Sequence, residues 1–232
     1  MPMKIRFSDI PHIVKGNFTE NNYIETDSTD GNIPCKLSIN LQGDRPFIDG
    51  CRIFLPANTR GEVIIHFGYD GSQVIFGENT SCKLDLRLWR TSSIYVGKNT
   101  TSNGCIIITD NSDVFIGEDC MFSDGILIQS NDQHGLIDLD TQKLINADRR
   151  TVMIGDHVWI GRRAIVMPDV RIGQGSVIGS GAIVVKDAEP FTYNVGVPAK
   201  KVRERSSWTR DPEFAAPEEI AFFKANGFPW GP

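Results

Sequence analysis

Four histidines, His12, His66, His134 and His157, are the side chains of this sequence best able to move a proton near neutral pH. His134 stands apart from the others. It lies in NDQHGLIDLDTQKLINADRR, residues 131–150, a polar stretch with none of the periodicity of its flanks. Such a stretch reads as a loop thrown outward from a rigid body, and sites concentrate on loops of that kind. An imidazole placed there can take the proton of a hydroxyl group, which contributes on the order of 10²–10⁴ in rate when the base is well positioned. Asp132, or a backbone carbonyl, would hold the ring in the required tautomer. The second feature is cationic. Lys186, Lys200, Lys201 and Arg203 cluster near the end of a chain whose formal net charge is −5, a grouping suited to phosphates.

These groups must be positioned by something, and residues 151–187 show what. They read TVMIGDHVWIGRRAIVMPDVRIGQGSVIGSGAIVVKD. Aliphatic side chains fall at Ile154, Ile160, Val166, Ile172, Ile178 and Val184, one every six residues. Small or β-branched residues, Val158, Ala164, Val170, Ser176 and Ala182, sit two places before the next aliphatic. Residues two apart share one face of a strand, so each pair points inward on a short strand. Gly155, Gly161, Gly173 and Gly179 follow four of the aliphatics and suit corners where other residues are strained. Three strand-and-corner units return the chain to its start one strand spacing higher, about 4.8 Å. The predicted fold is all-β: a triangular prism of stacked parallel strands. On this reading His157, mid-hexad, faces outward as a surface or interface residue. Trp159, between inward Val158 and Ile160, also faces out.

Ahead of the hexads runs a repeat of period twenty, beginning at Ser72, Ser92 and Ser112, with Gly77, Gly97 and Gly117 equivalent. Each unit is read as one eighteen-residue coil plus a two-residue bulge at a corner. Cys82 and Cys120 fall at inward places. Residues 1–60 are irregular, with strand-like pieces at 36–41 and 52–55, and are expected to cap the first coil. The solenoid proper is expected over 61–190 with its protruding loop at 131–150. Residues 191–232 form a C-terminal segment and tail, in which 217–226 (PEEIAFFKAN) carries helix signals: Pro at the first turn, early acids, and Gly227 as a stop. Ile220, Phe222 and Phe223 would dock that helix on the body or on a neighbouring subunit.

The chain is long enough for one sizeable domain, and its acidic balance argues against general nucleic-acid binding. Five cysteines form no C-x-x-C pair. No apolar run approaches the roughly 20 residues of a membrane span, and MPMKIRFSDIPHIV lacks a signal-peptide core. A cytoplasmic, reducing setting is the expectation.

SNDQHGLIDLDT, IGDHVWIG, VIGSGAIVVKD and GVPAKKV, in that order over roughly residues 72–205, resemble the hexapeptide-repeat acyltransferases, particularly the sugar and capsular-polysaccharide O-acetyltransferases. The resemblance implies a left-handed parallel β-helix, a hand that general rules of chain crossover do not supply. It implies homotrimers with acetyl-CoA in the groove between neighbouring prisms, and acetyl transfer to a sugar or polysaccharide hydroxyl by direct attack, with His134 as general base. Trp159 would line the acceptor or aim its N–H at the developing oxyanion. Asn103, Asp110 and Asp124 would bind the acceptor. Arg162, Ser180, Val185, Lys186, Lys200 and Arg203 would bind acetyl-CoA; Val185 stands where the family usually has threonine, so only its backbone could serve. No metal is implied: a γ-type carbonic anhydrase would need three zinc histidines, and only His134 and His157 lie in the right half. An amino-sugar or nucleotide-sugar N-acetyltransferase and a non-catalytic carbohydrate-binding solenoid are the alternatives. The small sugar-nucleotide-binding domain that some N-acetyltransferases carry ahead of the helix is not evident.

Overall fold

A computed structural model describes residues 2–231. The chain winds as a parallel β-helix with a protruding arm and, among the described residues, one short α-helix, Pro217–Ala225. One prism face is a ladder of parallel strands: Tyr23–Thr26, Arg52–Phe54, Gln73–Phe76, Ser93–Val96, Ser112–Ile116, Arg150–Ile154 and Arg171–Ile172. Met3–Arg6 pairs antiparallel with Tyr23–Thr26 and closes one end. The other two faces begin as long shared strands, Lys36–Leu41, Arg60–Phe67, Ser81–Leu88 and Thr101–Thr109. Beyond these they separate. Met121–Phe122, Trp159–Ile160, Val177–Ile178 and Tyr193–Val195 form the second face; Ile126–Gln129, Ile165–Val166 and Ile183–Val184 form the third.

Every inward place of the hexads is filled as the spacing requires. Ile154, Ile160, Val166, Ile172, Ile178 and Val184 are buried, as are Val158, Ala164, Val170, Ser176 and Ala182. Burying one aliphatic side chain contributes roughly 1.5–3 kcal/mol, so the column of inward residues is the main support of the stack. Cys82 and Cys120 are core residues. The expected two-residue corner bulge is not shared by the twenty-residue coils: Arg60–Phe67 and Ser81–Leu88 pair without a shift, and the one-residue shift between Ser102 and Cys105 lies inside the strand Thr101–Thr109. The rungs begin earlier than residue 61. Lys36–Leu41 and Arg52–Phe54, expected in a cap, continue the same ladders in register.

The corner glycines do a different job from the one their conformational freedom suggests. Left-handed backbone occurs two residues later, at His157, Arg163, Gly175 and Gly181, and also at Asp169. Gly161 has no such angle; a Cβ there would lie 2.6 Å from the Ser180 amide nitrogen. At Gly155 the same atom would lie 2.7 Å from the Gln174 amide nitrogen. These positions need glycine because successive coils touch at the corner.

Candidate active site

The prism has three long edges, and each carries a different set of polar residues. At the edge between the third and first faces, successive coils turn at residues 89–92, 110–111, 130–149, 167–170 and 185–187. The arm leaves here. Its tip is a small hairpin, Ile137–Asp138 paired with Lys143–Leu144. Its root is fixed by two asparagines that are almost fully buried. Asn131 Nδ2 donates to the Asp110 carbonyl at 2.8 Å, and Asn131 Oδ1 accepts from the Asp132 amide at 2.9 Å. Asn146 Nδ2 donates to the His134 carbonyl at 2.8 Å, and its Oδ1 accepts from the Leu136 amide at 2.8 Å. The backbone of His134 is therefore held while its ring stays exposed. Among the described residues the ring makes no hydrogen bond. Asp132 Oδ1 accepts from Gln129 Nε2 at 2.8 Å, so in a single chain this carboxylate engages Gln129, not His134. Arg90, Asp132, Gln133, His134, Leu144 and Asn146 line one depression. Asp110 is buried just beneath, ion-paired to Arg90. Lys186, exposed, lies on this same edge two coils along, beside exposed Val185.

The edge between the second and third faces carries Asn103, Asp124, Arg162 and Ser180. Arg162 Nε donates to Asp124 Oδ1 at 2.6 Å, and this bond together with the guanidinium charge holds the Asp124 carboxyl below the usual carboxylate range. A residue expected at the cofactor and one expected at the acceptor are thus partners. Asn103 is exposed at the bulge, and Ser180 is exposed where Gly161 touches the next coil. On the second face Trp159 is half-buried and points its Nε1 at Ser123 Oγ, 3.4 Å away. It shares a groove with Val177, Tyr193, Arg203, Arg205 and Ser206. Lys200–Arg203 forms an antiparallel strand against Tyr193–Val195. Lys201 is engaged by Glu189 and Glu204. Lys186, Lys200 and Arg203 make no ion pair among the described residues, which leaves their charge available to a phosphate.

The third edge corrects the reading of His157. It does project from the prism, but the C-terminal tail covers it completely. Its Nδ1 lies 2.8 Å from Asp119 Oδ2 and its Nε2 lies 3.0 Å from the Trp208 carbonyl oxygen. The Trp208 ring stacks on it at 4.4 Å between centroids and donates from Nε1 to the His157 carbonyl at 2.9 Å. Arg210 bonds Asp119 Oδ1 through Nη2 at 2.7 Å. Burial opposes ionisation of Asp119, but hydrogen bonds from His157 and Arg210 outweigh it and hold the carboxyl below its ordinary range. His157 is a structural latch. The helix it helps to dock lies on its own chain, with Phe223 buried and Phe222 5.0 Å from the His157 ring.

Burial also settles what the thiols cannot do. Desolvation pushes Cys82 and Cys120 up to about 12 and Cys35 up to about 11, so these groups stay protonated. No group of three or more potential ligands that could hold a metal ion occurs among the described residues.

The family described as bacterial transferase hexapeptide (six repeats) matches residues 151–186, the stretch that carries Trp159, Arg162, Ser180, Val185 and Lys186. Over these residues the chain is similar to that transferase family. It is 29% identical over 134 residues to a polysialic acid O-acetyltransferase of Escherichia coli O1:K1 / APEC, covering 57% of this chain and 43% of that protein. It is 30% identical over 128 residues to the galactoside O-acetyltransferase of Escherichia coli strain K12, covering 55% of this chain and 62% of that protein. The chain thus spans between about two fifths and three fifths of these curated relatives. The crystal structure of the polySia-specific acetyltransferase NeuO superposes with a TM-score of 0.74 over 92% of this chain and 94% of the other, at 24% identity, which establishes the shared fold.

Arg90, Asp119, Trp208 and Arg210 were not singled out from the sequence. Arg90 was within reach: in the twenty-residue repeat it occupies the place of Asp110 and Ser130, so it must stack on the same edge.

Proposed function

We propose that this chain is an acetyl-CoA-dependent O-acetyltransferase acting on a hydroxyl of a sugar or polysaccharide. The observation that carries this reading is the exposed His134 ring on an arm whose backbone is held by buried asparagines, at the edge of a hexapeptide-repeat prism. The proton of the acceptor hydroxyl passes to His134. The alkoxide attacks the thioester carbonyl, the C–S bond breaks, and CoA leaves as the thiol. The protonated thiols of Cys35, Cys82 and Cys120 favour this direct route over a covalent acyl-cysteine.

Similarity to the polysialic acid and galactoside enzymes supports a glycan acceptor. The site is composite. Within one prism the His134 edge and the Arg162–Ser180 edge lie on opposite sides of the third face. A homotrimer that sets the Arg162–Ser180 edge and the Trp159 groove of one copy against the His134 edge of the next completes the site. Acetyl-CoA then lies in the cleft between copies, its phosphates near Lys200 and Arg203, with Lys186, the Val185 backbone and Ser180 along its length. Asn103 and Asp124 line the acceptor side, buried Asp110 supports it from beneath through Arg90, and Asp132 is released from Gln129 to orient His134. No described helix is long and apolar enough to cross a membrane, and a cytoplasmic site of action supplies acetyl-CoA.

The test is sugar-dependent release of CoA thiol against a panel of sugars, amino sugars, nucleotide sugars and short polysaccharides, with the product's ester or amide identified by mass and base lability. An alkali-labile O-acetyl product supports the reading. An N-acetyl product, or no acetyl-CoA binding by calorimetry, overturns it.

A further inference from the structure

Arg90 sits on the rim of the His134 depression in an unusual state. Its Nε engages Asp110 Oδ1 in an ion pair. The Asp110 side chain is 6% exposed and that of Arg90 is 49% exposed. A guanidinium carries five N–H donors in a rigid plane. Only the Nε–H is taken within the chain, among the described residues, so both terminal amino groups are open. The buried carboxylate fixes the plane from below, and Asn131, bonded to the Asp110 carbonyl, ties the same corner to the root of the arm. Arg149 adds a second cation at this corner, but Asp113 takes it at both ends, at 2.5 and 2.7 Å. Arg90 is the cation left with an open fork beside the exposed imidazole.

A guanidinium fork matches a carboxylate by two parallel charge-assisted bonds, and it is worth most when its plane is already held. Galactose-like or glucose-like acceptors offer the fork only neutral hydroxyl oxygens, with no anionic group to pair with its charge. We propose that Arg90 is a specificity-determining residue and that the acceptor is a sugar acid, a glycan whose units carry free carboxylates. The carboxylate docks on the Arg90 amino groups while a hydroxyl of the same or the adjoining unit meets His134. This rests on the acyl-transfer reading for the transfer itself, but the carboxylate preference can be read by binding alone.

The experiment uses oligosaccharides of a uronic acid and of sialic acid, each with carboxylates free or converted to methyl esters. Binding to the full-length protein is measured by calorimetry without acetyl-CoA, and turnover is measured with acetyl-CoA saturating. For the unmodified protein, which carries no folding risk, esterification of the preferred acceptor should weaken binding and raise its KM by about 10–100-fold, the worth of a charge-assisted pair at 1.4 kcal/mol per tenfold. Arg90→Gln should abolish the distinction between acid and ester, Arg90→Lys should keep part of it, and neither should change the KM for acetyl-CoA. Equal binding of acid and ester overturns the proposal, as does an effect of Arg90→Lys confined to kcat or to the acetyl-CoA KM, which would mark a structural or phosphate-binding role. Acid-selective binding without any turnover would uphold the carboxylate site and sink the acyl-transfer reading instead.

Discussion

Replacing Trp208 with alanine should release the C-terminal tail while leaving the prism intact. Trp208 is 6% exposed, stacks on the His157 ring at an interplanar angle of 11°, and donates to the His157 carbonyl. Truncating a buried aromatic to alanine costs roughly 3–5 kcal/mol, and leaving the His157 carbonyl unpaired belongs to the same loss. At about 1.4 kcal/mol per tenfold, even the lower bound shifts the docked-to-undocked ratio by about 100-fold. The tail contributes no inward side chain to the hexads, so the loss should appear as local opening rather than collapse. Hydrogen exchange reads this directly. Amides of the helix Pro217–Ala225 should lose protection by about 100-fold in the variant, while those of Arg150–Ile154 and Trp159–Ile160 keep theirs. Unchanged protection of the helix, or equal loss in the rungs, would refute the assignment of His157 and Trp208 as a latch that holds only the tail.

Other consequences follow from the same contacts. Gly161→Ala should destabilise the prism by about 1–3 kcal/mol, because the added carbon meets the Ser180 amide nitrogen at 2.6 Å. Gly181→Ala, which meets nothing within 4 Å but sits at φ +70°, should cost only the left-handed penalty of about 1–2 kcal/mol. Denaturant melts that rank Gly181→Ala as clearly the worse would contradict the coil-contact argument. The carboxyl of Asp119 is depressed below its ordinary value, so its support of the tail is complete above about pH 4 and is lost as pH falls through the lower folded value. Tryptophan fluorescence followed from pH 6 to pH 2 should show the tail leaving on acidification, and Asp119→Asn should remove that transition. Replacing Lys200 and Arg203 together with alanine should raise the KM for acetyl-CoA several-fold at low salt, with little change in kcat, and the difference should shrink as salt is added.

The solenoid was legible because its signal is periodic. Six aliphatics in register have no other economical geometry, and all six are buried. The arm was legible as an interruption of that period, and the helix from Pro217 and Gly227. What the sequence hides is contact between distant coils. His157 and Trp208 are 51 residues apart, and nothing in the hexad says that an outward histidine will be roofed by the tail. The corner glycines look conformational in sequence, yet the structure assigns Gly161 to close approach. Residues that share an edge were predictable only where the repeat length was known. The twenty-residue unit puts Arg90 over Asp110, whereas Arg162 and Asp124 meet across an interval of 38 residues that includes the arm.

The central claim is that His134 removes the acceptor proton. The most direct test is single-turnover release of CoA thiol by His134→Ala, with acceptor and acetyl-CoA saturating and oligomeric state and acetyl-CoA affinity checked as unchanged. The account predicts a loss of about 10²–10⁴ in rate. A variant that assembles and binds acetyl-CoA normally yet releases thiol at the original rate would contradict it.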